Sequence, residues 1–198
     1  VHPFVRDHSE TENPYWWKGW GWYRKHFSID RRHAGRRVFL ECDGVQKYCR
    51  VFCNGVQIGE HAGGFSGFDL DITDHLCFDG DNVLAIAVSA LQADPRSIPP
   101  MIAGNWATYG GMHRDARLVV KHPVHIPYQG SCDHEGGTFI TTPIINQQSA
   151  QVRVATHIRN TESSAARVVV RQRIIDPGGD ELLVFESETD IPGGAEST

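Results

Sequence analysis

No run of 18 apolar residues occurs in this chain, so no membrane-spanning helix is expected. There is no basic stripe, and the net charge of −5 argues against a nucleic-acid partner. Nucleophile-elbow and phosphate-loop patterns are missing, as is any CxxC pair. The eleven histidines show no ligand spacing. His122 and His125 fall three apart in a strand-like stretch and would face opposite ways, so neither a metal nor another cofactor is expected. A sustained helical period is also absent from residues 1–128, which excludes a helical bundle there. The chain begins at Val1 with no basic-then-apolar leader, and its start is expected to be a cut.

The five cysteines are odd in number. Cys49 and Cys53 sit four apart on a predicted strand, with Cα atoms roughly 13 Å apart. A disulfide needs about 7 Å or less, so these two cannot pair. With Val51 they share one strand face and read as small buried hydrophobes. Cys42, Cys77 and Cys132 leave the redox compartment open.

What is present is strand pattern. Gly19-Trp20-Gly21 leads into Trp22–Ile29, where Trp22, Arg24, His26 and Ser28 alternate with Tyr23, Lys25, Phe27 and Ile29. Tyr15, Trp16, Trp17 and Trp20 crowd just upstream, as core packing or as an aromatic platform. Further strands are expected over Arg37–Cys42 and Lys47–Cys53, with Asp43-Gly44 and Asn54-Gly55 as hairpin turns. Gly63-Gly64-Phe65-Ser66-Gly67 opens no helix, so it does not read as a phosphate cradle. In Phe68–Ile72 the carboxylates of Asp69 and Asp71 share a face about 6.6 Å apart. Paired carboxylates can hydrolyse glycosides, but the outer face of an alternating strand explains this pair, and Glu41 with Asp43, better. The oxygen-rich turn Asp79-Gly80-Asp81-Asn82 reads as a plain turn rather than a calcium loop.

Val83–Ser89 is almost wholly apolar and is expected to be a central strand buried on both faces. Residues 90–112 then form a long loop rich in proline and glycine, a length that usually signals function. Arg114–Lys121 is the next strand, and Val124–Ile126 a short one. Arg114 and Asp115 are expected to tie the loop to neighbouring groups. After a linker near Tyr128–Gly137, strands are expected over Thr138–Thr142, Gln151–Arg159, Ala166–Ile175 and Glu181–Glu186. This second part resembles the first strands of an immunoglobulin-like sandwich. Such a domain needs about 100 residues and about seven strands, so the sandwich is expected to be unfinished and the chain a fragment.

Several blocks together resemble the N-terminal part of family 2 glycoside hydrolases, the β-galactosidase and β-glucuronidase group. They are Gly21-Trp22-Tyr23-Arg24-Lys25, Arg37-Val38-Phe39-Leu40-Glu41, Val51-Phe52-Cys53-Asn54-Gly55, Gly63-Gly64-Phe65 and Asp71-Ile72-Thr73-Asp74. The last are Trp106 with Tyr109-Gly110-Gly111-Met112-His113-Arg114-Asp115, and then Gly137-Thr138-Phe139-Ile140. The resemblance implies an all-β chain: a jelly-roll, galactose-binding-like sandwich over 1–128, then a partial immunoglobulin-like sandwich over 129–198. It also implies that the catalytic glutamates lie in a separate (β/α)8 barrel of about 250 residues, so no catalytic residue is expected here. The long loop would reach the barrel's active-site mouth, with Asn105, Trp106 and Tyr109 binding substrate. Asn105 stands where the family has an acidic residue that contacts the sugar or its cation. The amide removes the charge yet can still hydrogen-bond a hydroxyl.

The expected function is therefore that of a non-catalytic front of a retaining exo-glycosidase, β-galactosidase-like. Its partners would be a carbohydrate substrate and its own barrel, with a homo-oligomer left open. An autonomous carbohydrate-binding module is the alternative, and a sandwich unrelated to sugar a third reading. A free-standing binder should expose coplanar aromatics, whereas a glycosidase front should hide Trp20 and Trp22.

Overall fold

The structure, a computed structural model, describes residues 2–4, 19–91, 96, 110–129 and 136–198. These residues form strands and two short 3-10 turns, with no α-helix among them. They divide into two units: the residues up to His122, and Pro123–Gln129 with 136–198. The division falls after 122 rather than after 128, because Val124 and His125 pair with strand residues Asn160 and Arg159 of the second unit.

In the first unit the strands are β1 (His2–Phe4), β2 (Trp20–Phe27), β3 (Arg37–Cys42), β4 (Val45–Gln46) and β5 (Tyr48–Cys53). They continue as β6 (Val56–Ala62), β7 (Phe68–Asp71), β8 (Asn82–Ser89), β9 (Gly110–Met112) and β10 (Ala116–Lys121). One sheet runs β2-β8-β5-β6, a second β10-β3-β7, and a small third β1-β9-β4. The first two supply one core. Val38, Leu40 and Cys42 of β3, Cys49, Val51 and Cys53 of β5, and Leu84, Ile86 and Val88 of β8 belong to it. Period-two alternation puts those residues on one face of each strand, and burying that face is what the two sheets gain by stacking. Burial pushes the Cys42 thiol up to about 12, the behaviour of a small hydrophobe rather than a nucleophile.

The ends of this sandwich are held by polar groups. Asn54 and Gly55 both take positive φ, +49° and +85°, closing the β5–β6 hairpin as the Asn-Gly pair implied. Asn82 is fully buried. Its Oδ1 accepts from Cys77 N at 2.7 Å and Asn54 Nδ2 at 2.9 Å, while its Nδ2 donates to Cys77 O at 2.8 Å. Glu41 does not lie on a bare outer face as its alternation suggested. It is buried and ion-paired, with Arg117 Nε at 3.2 Å and Lys121 Nζ at 3.2 Å, because β10 pairs beside β3. Arg117 also grips both Asp43 oxygens, at 2.8 and 2.9 Å, and this holds the Asp43 carboxyl below its ordinary value against a smaller opposing effect of burial. Asp71 accepts from Arg37 Nε at 2.9 Å and from Thr73 N at 3.0 Å.

The second unit contains β11 (Val124–His125), β12 (Thr138–Ile145), β13 (Ala150–Thr156), β14 (Ile158–Asn160), β15 (Ala166–Ile175), β16 (Glu181–Ile191) and β17 (Glu196–Ser197). Two pairs stand as two-stranded ribbons, β12-β13 and β15-β16, beside a small sheet β11-β14-β17. Asn160 is fully buried and pins the small sheet, donating to Ser164 O at 2.9 Å and Ile191 O at 3.0 Å. Burial would raise the Glu196 carboxyl, but hydrogen bonds from His157, at 2.6 Å, and from Arg159 outweigh it and hold it low. Apolar residues stay in water on the ribbons: Ile145 is 73% exposed and Leu182 63%. Isolated two-stranded ribbons are marginal in water.

Three outcomes follow from this packing. Asn82→Ala removes the side-chain partner of both Cys77 N and Cys77 O, while Asn54 Nδ2 keeps His75 O at 2.7 Å, and should lower the unfolding free energy of the first unit by about 1–2 kcal/mol in urea titrations. Arg117→Gln should lower the melting temperature at pH 7. Because the Asp43 pKa is depressed by folding, that difference should be present above about 3.8, its ordinary value, and shrink as pH falls through the lower folded value. An unchanged difference at low pH would contradict the pairing. Amide exchange should be slow at β3, β5 and β8 and faster along β12, β13, β15 and β16; equal protection would contradict the open packing of the ribbons.

Candidate functional site

Asn105, Trp106 and Tyr109 lie outside the described residues, as do Tyr15, Trp16, Trp17 and Cys132. What the structure describes is where their loop is rooted. At one root β8 ends in Ser89, whose carbonyl accepts from Lys47 N at 3.1 Å. Ala90 N then donates to Gly19 O at 2.9 Å. At the other root β9 is clasped between β1 and β4, with Gly111 opposite both Pro3 and Gln46. Gly111 has φ +96°, a left-handed conformation that favours glycine. Met112 N donates to the Tyr23 hydroxyl at 3.0 Å, and burial raises the pKa of that phenol. Both ends of the loop are thus bonded into the sandwich.

Beyond β9, Arg114 donates to Phe65 O at 3.0 Å and Asp43 O at 3.4 Å. Asp115 ties in through its backbone carbonyl, which accepts from Asp43 N at 2.9 Å. Its carboxylate makes no hydrogen bond or ion pair among the described residues, so the internal partners expected for this pair hold for Arg114 and only for the backbone of Asp115. The Gly63-Gly64 block has a packing role: a Cβ on Gly64 would sit 1.4 Å from buried Gln46 Oε1. Beside it His61 stacks on Phe68 at 4.2 Å, and burial lowers its pKa.

A second feature lies on the outer face of the sheet β2-β8-β5-β6. Trp20, Trp22, Arg50, Phe52 and Ala87 line a shallow furrow of about 250 Å³. Trp22 is 63% exposed and Trp20 38%. This exposure differs from the concealment of Trp20 and Trp22 expected of a glycosidase front. The aromatic alternation of β2 was legible in the sequence. The partners across the furrow were not, because they depend on the register of β8 and β5. A larger apolar cleft of about 440 Å³ opens between the sheet edges, lined by residues such as Tyr23, Phe27, Leu84, Met112 and Leu118. It is the mouth of the core and presents no carboxylate. Among the described residues no group of three or more His, Cys, Asp or Glu is placed to hold a metal. The carboxylates of Glu41, Asp43 and Asp71 are engaged by arginines, which suits them to holding strands rather than to acid–base work.

Comparison with known proteins converges on one family. Residues 6–123 match the model of the glycosyl hydrolases family 2 sugar-binding domain. A β-glucuronidase of Formosa agariphila is 31% identical over 90% of this chain and 19% of its own length. A β-galactosidase of Bacteroides ovatus is 32% identical, again over 90% of this chain and 19% of its own length. Among solved structures, a calcium-binding mutant of Bacteroides uniformis β-glucuronidase 2 superposes with a TM-score of 0.87 at 27% identity, covering 99% of this chain and 23% of that one. The chain spans about a fifth of the length of the curated relatives it matches. It belongs to glycoside hydrolase family 2, of which it is an N-terminal piece.

Proposed function

We propose that this chain is the non-catalytic front of a retaining exo-glycosidase, β-galactosidase-like, which supports a separate catalytic (β/α)8 barrel and lends it the loop between β8 and β9. The observation that carries this reading is the likeness, over nine-tenths of the chain, to hydrolases five times as long. The bonded loop roots support it. A segment joined to the sheet through Ala90 and Gly110 can deliver its tip reproducibly, and fixed placement is how remote groups help a reaction they do not perform.

In this reading Trp106 offers an apolar ring face to a pyranose, and Asn105 supplies a donor and an acceptor to its hydroxyls. Tyr109 adds a phenol to this set. The catalytic acid and nucleophile belong to the barrel. The exposure of Trp20 and Trp22 favours a second reading, an autonomous carbohydrate-binding module.

Two measurements bear on the proposal. Asn105→Ala in the full-length parent should lower kcat/KM by about 10- to 100-fold, the loss of one or two well-placed hydrogen bonds, with little change in melting temperature. A variant that melts several degrees lower yet keeps its kcat/KM would mean that the loop only packs. This chain alone should not hydrolyse aryl β-galactosides, β-glucuronides or β-mannosides. Turnover that scales with its concentration would sink the proposal.

A further inference from the structure

Asn54 is the only asparagine in the chain that is followed by glycine. Asparagine amides are thermally labile. The backbone nitrogen of the next residue can attack the side-chain Cγ, and glycine has no Cβ to obstruct that approach. Asn54 and Gly55 are both exposed, and nothing lies within 4 Å of where a Gly55 Cβ would stand. The Gly55 N–H makes no hydrogen bond among the described residues. Sequence and exposure together mark a reactive pair.

The Asn54 side chain is nevertheless held. Its Nδ2 donates to His75 O at 2.7 Å, in the 3-10 turn Thr73–His75, and to Asn82 Oδ1 at 2.9 Å. Its Oδ1 accepts from Val83 N at 2.8 Å. Asn82 is itself fully buried and fixed by the N–H and carbonyl of Cys77. Both amide donors and the amide carbonyl of Asn54 are therefore committed to partners far along the chain. Attack needs the reacting atoms about 3–3.5 Å apart and aligned. To bring Cγ onto Gly55 N, the side chain must rotate out of this cradle, and all three bonds break together.

We propose that Asn54 is a modification site, a deamidating asparagine that the Asn82 anchor holds unreacted until the hairpin end opens. In the open state Gly55 N gives up its proton to solvent and bonds to Asn54 Cγ. The Cγ–Nδ2 bond breaks, ammonia departs, and a cyclic imide remains. Water then opens the imide at either carbonyl and leaves aspartate or isoaspartate. The net change is amide plus water to carboxylic acid plus ammonia, with no oxidation or reduction. The product does not fit the cradle. At pH 7 the new carboxylate is ionised and has no donor for His75 O or Asn82 Oδ1. Isoaspartate also adds a main-chain atom before Gly55 and spoils the two-residue turn. Each conversion thus makes the opening of the hairpin end permanent.

Peptide mapping by mass spectrometry follows conversion of Asn54 at pH 7, in the native chain and in urea. Conversion in urea should be at least about ten-fold faster, because the native chain reacts only through its open fraction. Asn82→Ala, which removes one acceptor of the Asn54 amide, should speed the native reaction by about five- to ten-fold. Val38→Ala, which weakens the core of the same unit away from the anchor, should leave the native rate nearly unchanged. Asn54→Asp, which carries the product carboxylate, should melt several degrees below the unaltered chain. Native conversion as fast as in urea, or no conversion in either state, would overturn the proposal. Equal acceleration by Val38→Ala and Asn82→Ala would do the same, as would an Asn54→Asp chain that melts with the unaltered one. Should Asn82→Ala fail to fold, the native-against-urea rates and the Asn54→Asp melt decide.

Discussion

Strand β8 sets the constraint on which the first unit depends. It pairs with β2 on one side and β5 on the other, and its inner face enters the core. A strand so enclosed must be apolar inward, where Leu84, Ile86 and Val88 meet the second sheet. Its outward positions, Ala85, Ala87 and Ser89, are small, and the furrow follows from that. Its last residues also launch the loop, because the carbonyl of Ser89 and the amide of Ala90 are already bonded to neighbouring backbone. Core, furrow and loop root are three consequences of one buried strand.

Around that strand, stability is supplied unevenly. The stacked sheets bury a continuous cluster, and polar anchors such as Asn82 and the Glu41–Arg117–Asp43 network close the ends. The second unit has no comparable cluster among the described residues. Its long ribbons pair along their length yet leave Ile145 and Leu182 in water. Backbone pairing without a covered face is weak in water, because hydrogen bonds gained between strands replace hydrogen bonds to solvent.

Much of the architecture could be read from pattern alone. The alternation over Trp22–Ile29, the Asn54-Gly55 turn and the apolar run at Val83–Ser89 state local preferences strongly, and each became the kind of element that its pattern implied, the first as a strand that runs two residues earlier, Trp20–Phe27. What failed to show was decided by pairing between distant strands. Glu41 looked like a surface residue until β10 brought Arg117 and Lys121 beside it. Arg50 had no visible role until β5 paired with β8 and brought it opposite Ala87 and near the Trp20 ring. The early unit boundary has the same origin, since Val124 and His125 are committed by their partners on β14 and not by their own composition. Asn105, Trp106 and Tyr109 were found through family resemblance and lie outside the described residues.

The central claim, that this chain lends a substrate-contacting loop to a catalytic body it does not itself contain, is tested most directly by the structure of the intact enzyme with a hydrolysis-resistant sugar analogue bound. The account predicts the Asn105 amide within about 3.2 Å of a sugar hydroxyl, with the Trp106 ring against a pyranose face. A sugar bound in the catalytic pocket with no atom of residues 105–109 in contact with it would contradict the account.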